Sequence, residues 1–339
     1  MSTTIRHDDA RISWEGAVSV MRTPDWTMPW RIPHEQRNLL GGTDPKLVNA
    51  ARSPSGVRLS LRSDTRSLSG RVLLATTGTD TANLFMLDLC VNDRHLASCV
   101  IDSDGGFGFT GLPPGNKLLE LWLPLTDIFR LQSLELDDGA EFEPFKDGRP
   151  RWTMHGSSIE HCSGAKSPTQ SWPAIVARGS GLNLTSMGFG GACHLDPLVA
   201  QIIATLPADF ISFATGTNSL IGPGYNERTF RFLLAAFVKT IRQGHPQTPI
   251  AVVSPIYCVA RDTGTDTAGE FWRGMRPVAA EIVELLKAEG DRHLYYVDGR
   301  DLLGEADKHL LRDNVHPGTE GYKLIGRNFL KKVIPVVFP

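Results

Sequence analysis

The hydrophobic rhythm of this chain changes near residue 146. From about residue 12 to 143, apolar and polar residues alternate over short runs. Val57-Arg58-Leu59-Ser60-Leu61-Arg62, Cys99-Val100-Ile101-Asp102 and Leu131-Gln132-Ser133-Leu134-Glu135-Leu136 are examples. Turn signals separate such runs: Ser55-Gly56, Asn92-Asp93, Asp104-Gly105-Gly106, Pro113-Pro114-Gly115 and Asp138-Gly139. A period of two puts all the apolar side chains of a strand on one face, and short strands with turns about every ten residues predict an all-β sandwich without helices. Leu118–Leu123 is more continuously apolar, as a strand covered on both faces would be.

Beyond the polar stretch Lys146-Asp147-Gly148-Arg149-Pro150, strand-like runs alternate with helix-length amphipathic segments. Strands are expected at Trp152–His155, Leu182–Met187, Phe210–Ala214, Ile250–Pro255 and Tyr295–Val297. Helices are expected at Pro173–Arg178, Pro197–Leu206, Glu227–Gln243 and Pro277–Glu289, with a last one from about Thr319. Asp196-Pro197 combines an N-cap acid with proline at the first helical position, a strong start signal. Alternation of this kind builds a parallel sheet covered by helices, with ligands beyond the carboxyl ends of its strands. The expected organisation is therefore a β-sandwich over 1–145 and an α/β domain over 151–339.

Four segments fall at those strand ends or just before the last helix. They are Met154-His155-Gly156-Ser157-Ser158-Ile159-Glu160, Met187-Gly188-Phe189-Gly190-Gly191-Ala192, Ala214-Thr215-Gly216-Thr217-Asn218 and Asp313-Asn314-Val315-His316-Pro317. Their chemistry fits acyl transfer. A serine hydroxyl is a poor nucleophile until a base takes its proton, and a neutral imidazole does this near pH 7. Asp313, three residues before His316, can turn back to hold the ring and stabilise the imidazolium. The tetrahedral intermediate needs donors, which the N–H groups of Ser158 and Gly191 and the Asn218 amide would supply. Glycine at 191 leaves room for substrate to approach the backbone.

In order and spacing these segments resemble the four sequence blocks of the SGNH hydrolases, the GDSL esterase/lipase family. Ser158, Gly191, Asn218 and His316 match its namesake residues, and Asp313 matches the acid of its Asp-x-x-His block. The resemblance covers roughly residues 151–330 and implies a flavodoxin-like three-layer α/β fold. With a β-sandwich in front, the chain is similar to a bacterial subgroup that carries an N-terminal jelly-roll-like domain and includes esterases and an acyltransferase, which implies a catalytic domain over 151–339 and a carbohydrate-binding-module-like or substrate-shaping sandwich over 1–145. The family's first block usually reads Gly-Asp-Ser, whereas here Ser157 replaces the aspartate. Ser157 also offers a second hydroxyl, but register with Gly156 and Ile159 favours Ser158.

Each residue also has a plainer role. Ser158 could simply open a helix, His316 could be a surface histidine, and Gly191 and Asn218 could be turn residues. Glu160 is expected to be solvated on its helix. Trp26, Trp30 and Arg31, in the Pro-rich stretch Pro24–Pro33, could line a substrate pocket or pack between domains. His161-Cys162 and Cys193-His194 lack zinc-site spacing, so neither a metal nor another cofactor is expected, although a Cys162–Cys193 contact is possible. The 35 basic and 37 acidic side chains nearly cancel, which argues against a nucleic-acid partner. No apolar stretch is long enough to cross a bilayer, and the polar start lacks a signal sequence. The expected setting is cytoplasmic, though a mature secreted form would look the same. Three functions compete: an esterase for a small or carbohydrate-borne acyl ester, an acyltransferase using the same triad, and a non-catalytic carbohydrate-binding protein.

Overall fold

The computed structural model describes residues 2–74, 85–216, 218 and 226–339. Among the described residues, twelve antiparallel strands, β1–β12, lie between Ser2 and Pro144 and form two sheets. One holds β3 (Ser19–Arg22), β4 (Thr27–Trp30), β11 (Leu131–Asp137), β6 (Ser67–Val72) and β9 (Gly106–Thr110) in that order, with β1 (Ser2–Arg6) also on β11. The other runs β12 (Phe142–Pro144), β5 (Arg58–Ser63), β10 (Lys117–Trp122), β7 (Met86–Val91) and β8 (Arg94–Val100), with β2 (Ser13–Glu15) on β5. The inward residues of both sheets, among them Leu59, Leu89, Leu119, Leu68 and Leu134, share one core. Asn92 and Asp93 both take positive φ in the tight turn joining β7 to β8, the backbone such a hairpin requires.

Strand β10 is buried along its whole length, as its largely apolar run Leu118–Leu123, interrupted by Glu120, predicts. Leu119 and Leu121 face the sandwich core, while Trp122 packs with Trp152 and Trp172 of the second half. Beside Trp122, Glu120 is enclosed by Arg58 and Arg149, and both arginines also reach Asp147. Arg58 continues to the Asn183 side chain, so this ion cluster ties the sandwich to the α/β unit.

The second half contains one parallel sheet of β13 (Arg151–Gly156), β14 (Asn183–Gly188), β15 (Phe210–Ala214), β16 (Ile250–Val253) and β17 (Leu294–Val297). Its order is β14-β13-β15-β16-β17, a flavodoxin-like winding in which the chain leaves β13 first to one side and then to the other. Crevices for ligands open at such a reversal, above the end of β13. Helices α5 (Pro197–Thr205), α6 (Glu227–Gly244) and α8 (Thr267–Ala288) cover one face, and α4 (Trp172–Ser180) and α9 (Thr319–Lys332) the other.

Two expectations about helices fail. The first half does contain helices, α1 (Arg37–Thr43) and α2 (Pro45–Ala51). Leu40, Leu47 and Ala51 join the α/β core with Met187, Phe189 and Leu195, so tertiary packing rather than local periodicity maintains these short segments. Helix α8 begins well before Pro277: Asp266 caps it by accepting from Gly269 N–H, and buried Trp272, Met275 and Arg276 hold the early turns. Pro277 sits inside the helix, where it removes one backbone bond without ending it. Among the described residues no helix is long and apolar enough to cross a membrane.

Candidate active site

Strand β13 ends at Gly156, and the chain turns directly into the short helix α3 (Ser158–His161). Ser157 is its N-cap and Glu160 its third residue, a reciprocal capping box. Ser157 N–H and Oγ–H both donate to Glu160 Oε2, at 2.7 and 3.1 Å, and Ser157 Oγ accepts from Ile159 N–H. Ser157 is thus fully buried and engaged. The next hydroxyl, Ser158 Oγ, lies 2.8 Å from His316 Nε2.

Asp313 and His316 face each other across a tight loop before α9, in which Asn314 takes φ 63°. Asp313 Oδ2 is 2.8 Å from His316 Nδ1, and Oδ1 accepts from the N–H groups of Val315 and His316. Partial burial opposes ionisation of Asp313, but these hydrogen bonds outweigh it and hold its carboxyl down at about 2. An ionised Asp313 accepts only, so the ring proton resides on Nδ1 and the Nε2 lone pair faces the Ser158 hydroxyl. The arrangement can draw a proton from Ser158 and return it.

Gly191 and Asn218 stand at the ends of the strands on either side of β13. Gly191 takes φ 76°, which favours glycine, and a Cβ there would meet only Lys46, at 3.9 Å. Asn218 Oδ1 accepts from Cys193 N–H at 3.0 Å, and since that donor requires the amide oxygen, Nδ2 is the end left to donate elsewhere. The N–H groups of Ser158 and Gly191 have no acceptor among the described residues. Thr217, in the same segment as Asn218, lies outside the described residues.

The expectation of a solvated Glu160 is overturned. The capping turn folds its carboxyl back beneath Gly156, and burial raises it to about 7 despite the bonds from Ser157. A Cβ on Gly156 would lie 2.3 Å from that carboxyl, and one on Gly188 would lie 2.5 Å from the Glu160 backbone. The spacing Ser157-x-x-Glu160 was a capping-box signal in plain view. His155 and His161 are also buried near the site. His155 binds Met187 O through Nδ1 and stacks near Phe237, and burial lowers it to about 4. His161 is lowered to about 3, first by burial and then by nearby Arg31.

Arg31 and Trp30 do not reach the surface. Arg31 donates to Ser53 O and Oγ, Ala50 O and Gly188 O, and burial lowers its guanidinium to about 9. Trp26 keeps some exposed surface, with Arg130 over its ring at 5.1 Å. Among the described residues no disulfide forms: Cys162 donates to Ile159 O, and Cys193 lies 3.7 Å from His155 Nε2. Nor does any group of three or more His, Cys, Asp or Glu residues there form a metal site.

Residues 151–334 match the model of the GDSL-like lipase/acylhydrolase family, and residues 12–132 match the model of the SsfX3 N-terminal domain. Among solved structures, the chain is similar to the salicylyl-acyltransferase SsfX3 from a tetracycline biosynthetic pathway. That similarity is 32% identity over 99% of this chain and 97% of the other, with a TM-score of 0.90. A putative GDSL-like lipase from Bacteroides ovatus matches at 19% identity, over 99% and 98% of the two chains, with a TM-score of 0.80. A family two carbohydrate esterase from Clostridium thermocellum matches at 13% identity, over 98% of each chain, with a TM-score of 0.65. The last two likenesses speak for the fold alone. No curated protein sequence matches the chain.

Proposed function

Because the chain belongs to the GDSL-like lipase/acylhydrolase family, and is thus an SGNH-type hydrolase or acyltransferase, we propose that it is a serine esterase working through an acyl-enzyme on Ser158. The observation that carries this reading is the unbroken line Ser158 Oγ–His316 Nε2, His316 Nδ1–Asp313 Oδ2, each step 2.8 Å. Ser158 Oγ attacks the ester carbonyl as His316 takes its proton. The oxyanion accepts from Ser158 N–H, Gly191 N–H and Asn218 Nδ2. His316 then gives the proton to the departing alkoxide, the acyl group remains on Ser158, and a water activated by His316 releases it. Asp313 stays ionised throughout, holding the ring and balancing the imidazolium.

Water is favoured as the final acceptor because the dyad is open: the side chains of His316 and Asp313 are 29% and 49% exposed. A second reading has an alcohol of a small molecule or sugar taking the acyl group, and the full-length likeness to a salicylyl-acyltransferase favours it. In either case residues 151–339 supply the chemistry and residues 1–145 shape the substrate side, where Trp26 is the one of the three pocket candidates that retains exposed surface. The substrate class is a small acyl ester or an acylated carbohydrate, handled without a cofactor.

The test is hydrolysis of a short-chain p-nitrophenyl ester by wild type and Ser158→Ala, with and without added alcohol acceptors. Release of free acid by wild type alone supports the esterase. Diversion of most acyl groups into a new ester at modest acceptor concentration replaces it with the transferase, and equal release by both proteins refutes Ser158 as nucleophile.

A further inference from the structure

His161 sits at the last turn of α3, and both its ring nitrogens have defined partners. Nε2 lies 2.8 Å from Leu125 O and 2.9 Å from Ser53 Oγ, both contributed by the first half of the chain. Nδ1 lies 3.3 Å from Gly190 N. A carbonyl oxygen can only accept and a backbone N–H can only donate, so these partners assign the tautomer: the proton is on Nε2, and the Nδ1 lone pair receives the Gly190 N–H. Ser53 Oγ gives its own proton to Ala50 O and accepts from Arg31 Nη2, so its remaining lone pair suits the Nε2 proton. The ring is buried and neutral, and protonating Nδ1 would set two donors against each other.

The segment receiving this contact carries Gly191. Arg31 holds Gly188 O at 2.7 Å, His161 holds Gly190 N–H, and Asn218 holds Cys193 N–H at 3.0 Å. Gly191 lies between the last two, its N–H without an acceptor among the described residues. A Cβ on Gly190 would come 3.3 Å from His161 Nδ1 and 3.8 Å from Ser158 Cβ, so the segment runs directly over the nucleophile's helix.

We infer that His161 is a positioning residue, through which Ser53 and Leu125 of the first half fix the Gly190-Gly191 segment and aim the Gly191 N–H at the oxyanion. This rests on the proposed acyl-enzyme reading and adds a task for the first half beyond shaping substrate. A donor displaced by a fraction of an ångström still lets substrate bind but stabilises the transition state less. Loss of the anchor therefore lowers kcat and leaves KM nearly unchanged.

Two substitutions separate the ring's two bonds. His161→Gln keeps a donor that reaches Leu125 O but has no acceptor at the Nδ1 position. His161→Asn places its amide oxygen near the Nδ1 position and restores the acceptor for Gly190 N–H. The expected result on a p-nitrophenyl ester is a kcat lowered by about 10–100-fold in His161→Gln, with KM within about twofold and partial recovery in His161→Asn. Ser53→Ala, a small deletion that folds more readily, is expected to lower kcat by about threefold with KM unchanged. Equal kcat in wild type, Ser53→Ala and whichever His161 variants fold overturns the inference while leaving the acyl-enzyme intact. So does a loss shared equally by kcat and thermal stability with no recovery in His161→Asn. If wild type turns over no ester and a serine-directed phosphonate does not label it, the acyl-enzyme reading falls and takes this inference with it.

Discussion

Glu160 makes a prediction whose size follows from where it is buried. Its carboxyl is raised from 4.5 to about 7, with burial the leading cause and the Ser157 hydrogen bonds opposing it. The folded protein therefore prefers the protonated form more strongly than the unfolded chain does. Its contribution to stability is complete below about pH 4.5 and is lost as pH rises through about 7. A separation of about 2.5 pH units corresponds to about 3 kcal/mol. Glu160→Gln keeps the shape and an oxygen for Ser157 N–H but removes the titration. Urea unfolding of both proteins from pH 4.5 to 8.5 isolates the effect, because every other titrating group cancels in the difference. Wild type is expected to lose about 3 kcal/mol relative to the variant across that range, mostly between pH 5 and 7.5. Parallel stability curves would mean that folding does not raise the Glu160 carboxyl, and a wild type gaining on the variant as pH rises would mean that folding lowers it.

Three further outcomes can be checked. Asn218→Ala should lower kcat by about 10²–10³-fold, as expected for one oxyanion donor, and an unchanged rate would remove Asn218 from that role. Arg31→Met should cost about 3 kcal/mol in urea unfolding, because Gly188 O, Ser53 O and Ala50 O lose a buried donor; a loss below about 1 kcal/mol would contradict this. Chelators should leave ester hydrolysis unchanged, and activity lost to chelator and restored by zinc would contradict that.

Most of the architecture was legible because both periodicities are strong: period-two runs ended at turn residues, and the five parallel strands lie close to their expected places. Helices α1 and α2 were not, since seven-residue segments become stable only by packing on Met187 and Phe189, far away in sequence. Pro277 masked the first half of α8, because a proline usually marks a helix start. At the site, the Asp313–His316 contact was readable from its three-residue spacing, whereas Ser158 and His316 lie 158 residues apart and were paired through the family resemblance. Glu160 departs from expectation because acidic residues on short helices are usually solvated, whereas the capping turn with Ser157 buries this one. His161 stood out only as a neighbour of Cys162, and its contacts left no local signal because Ser53 and Leu125 come from distant parts of the chain.

On the proposed mechanism Ser158 is the nucleophile and His316 its base. The most direct measurement is labelling with a p-nitrophenyl phosphonate, followed by digestion and mass mapping of the adduct. One phosphonyl group is expected on Ser158, absent from Ser158→Ala and formed far more slowly in His316→Ala. An adduct on Ser157 or elsewhere, or equal labelling of Ser158→Ala, would mean that Ser158 is not the nucleophile.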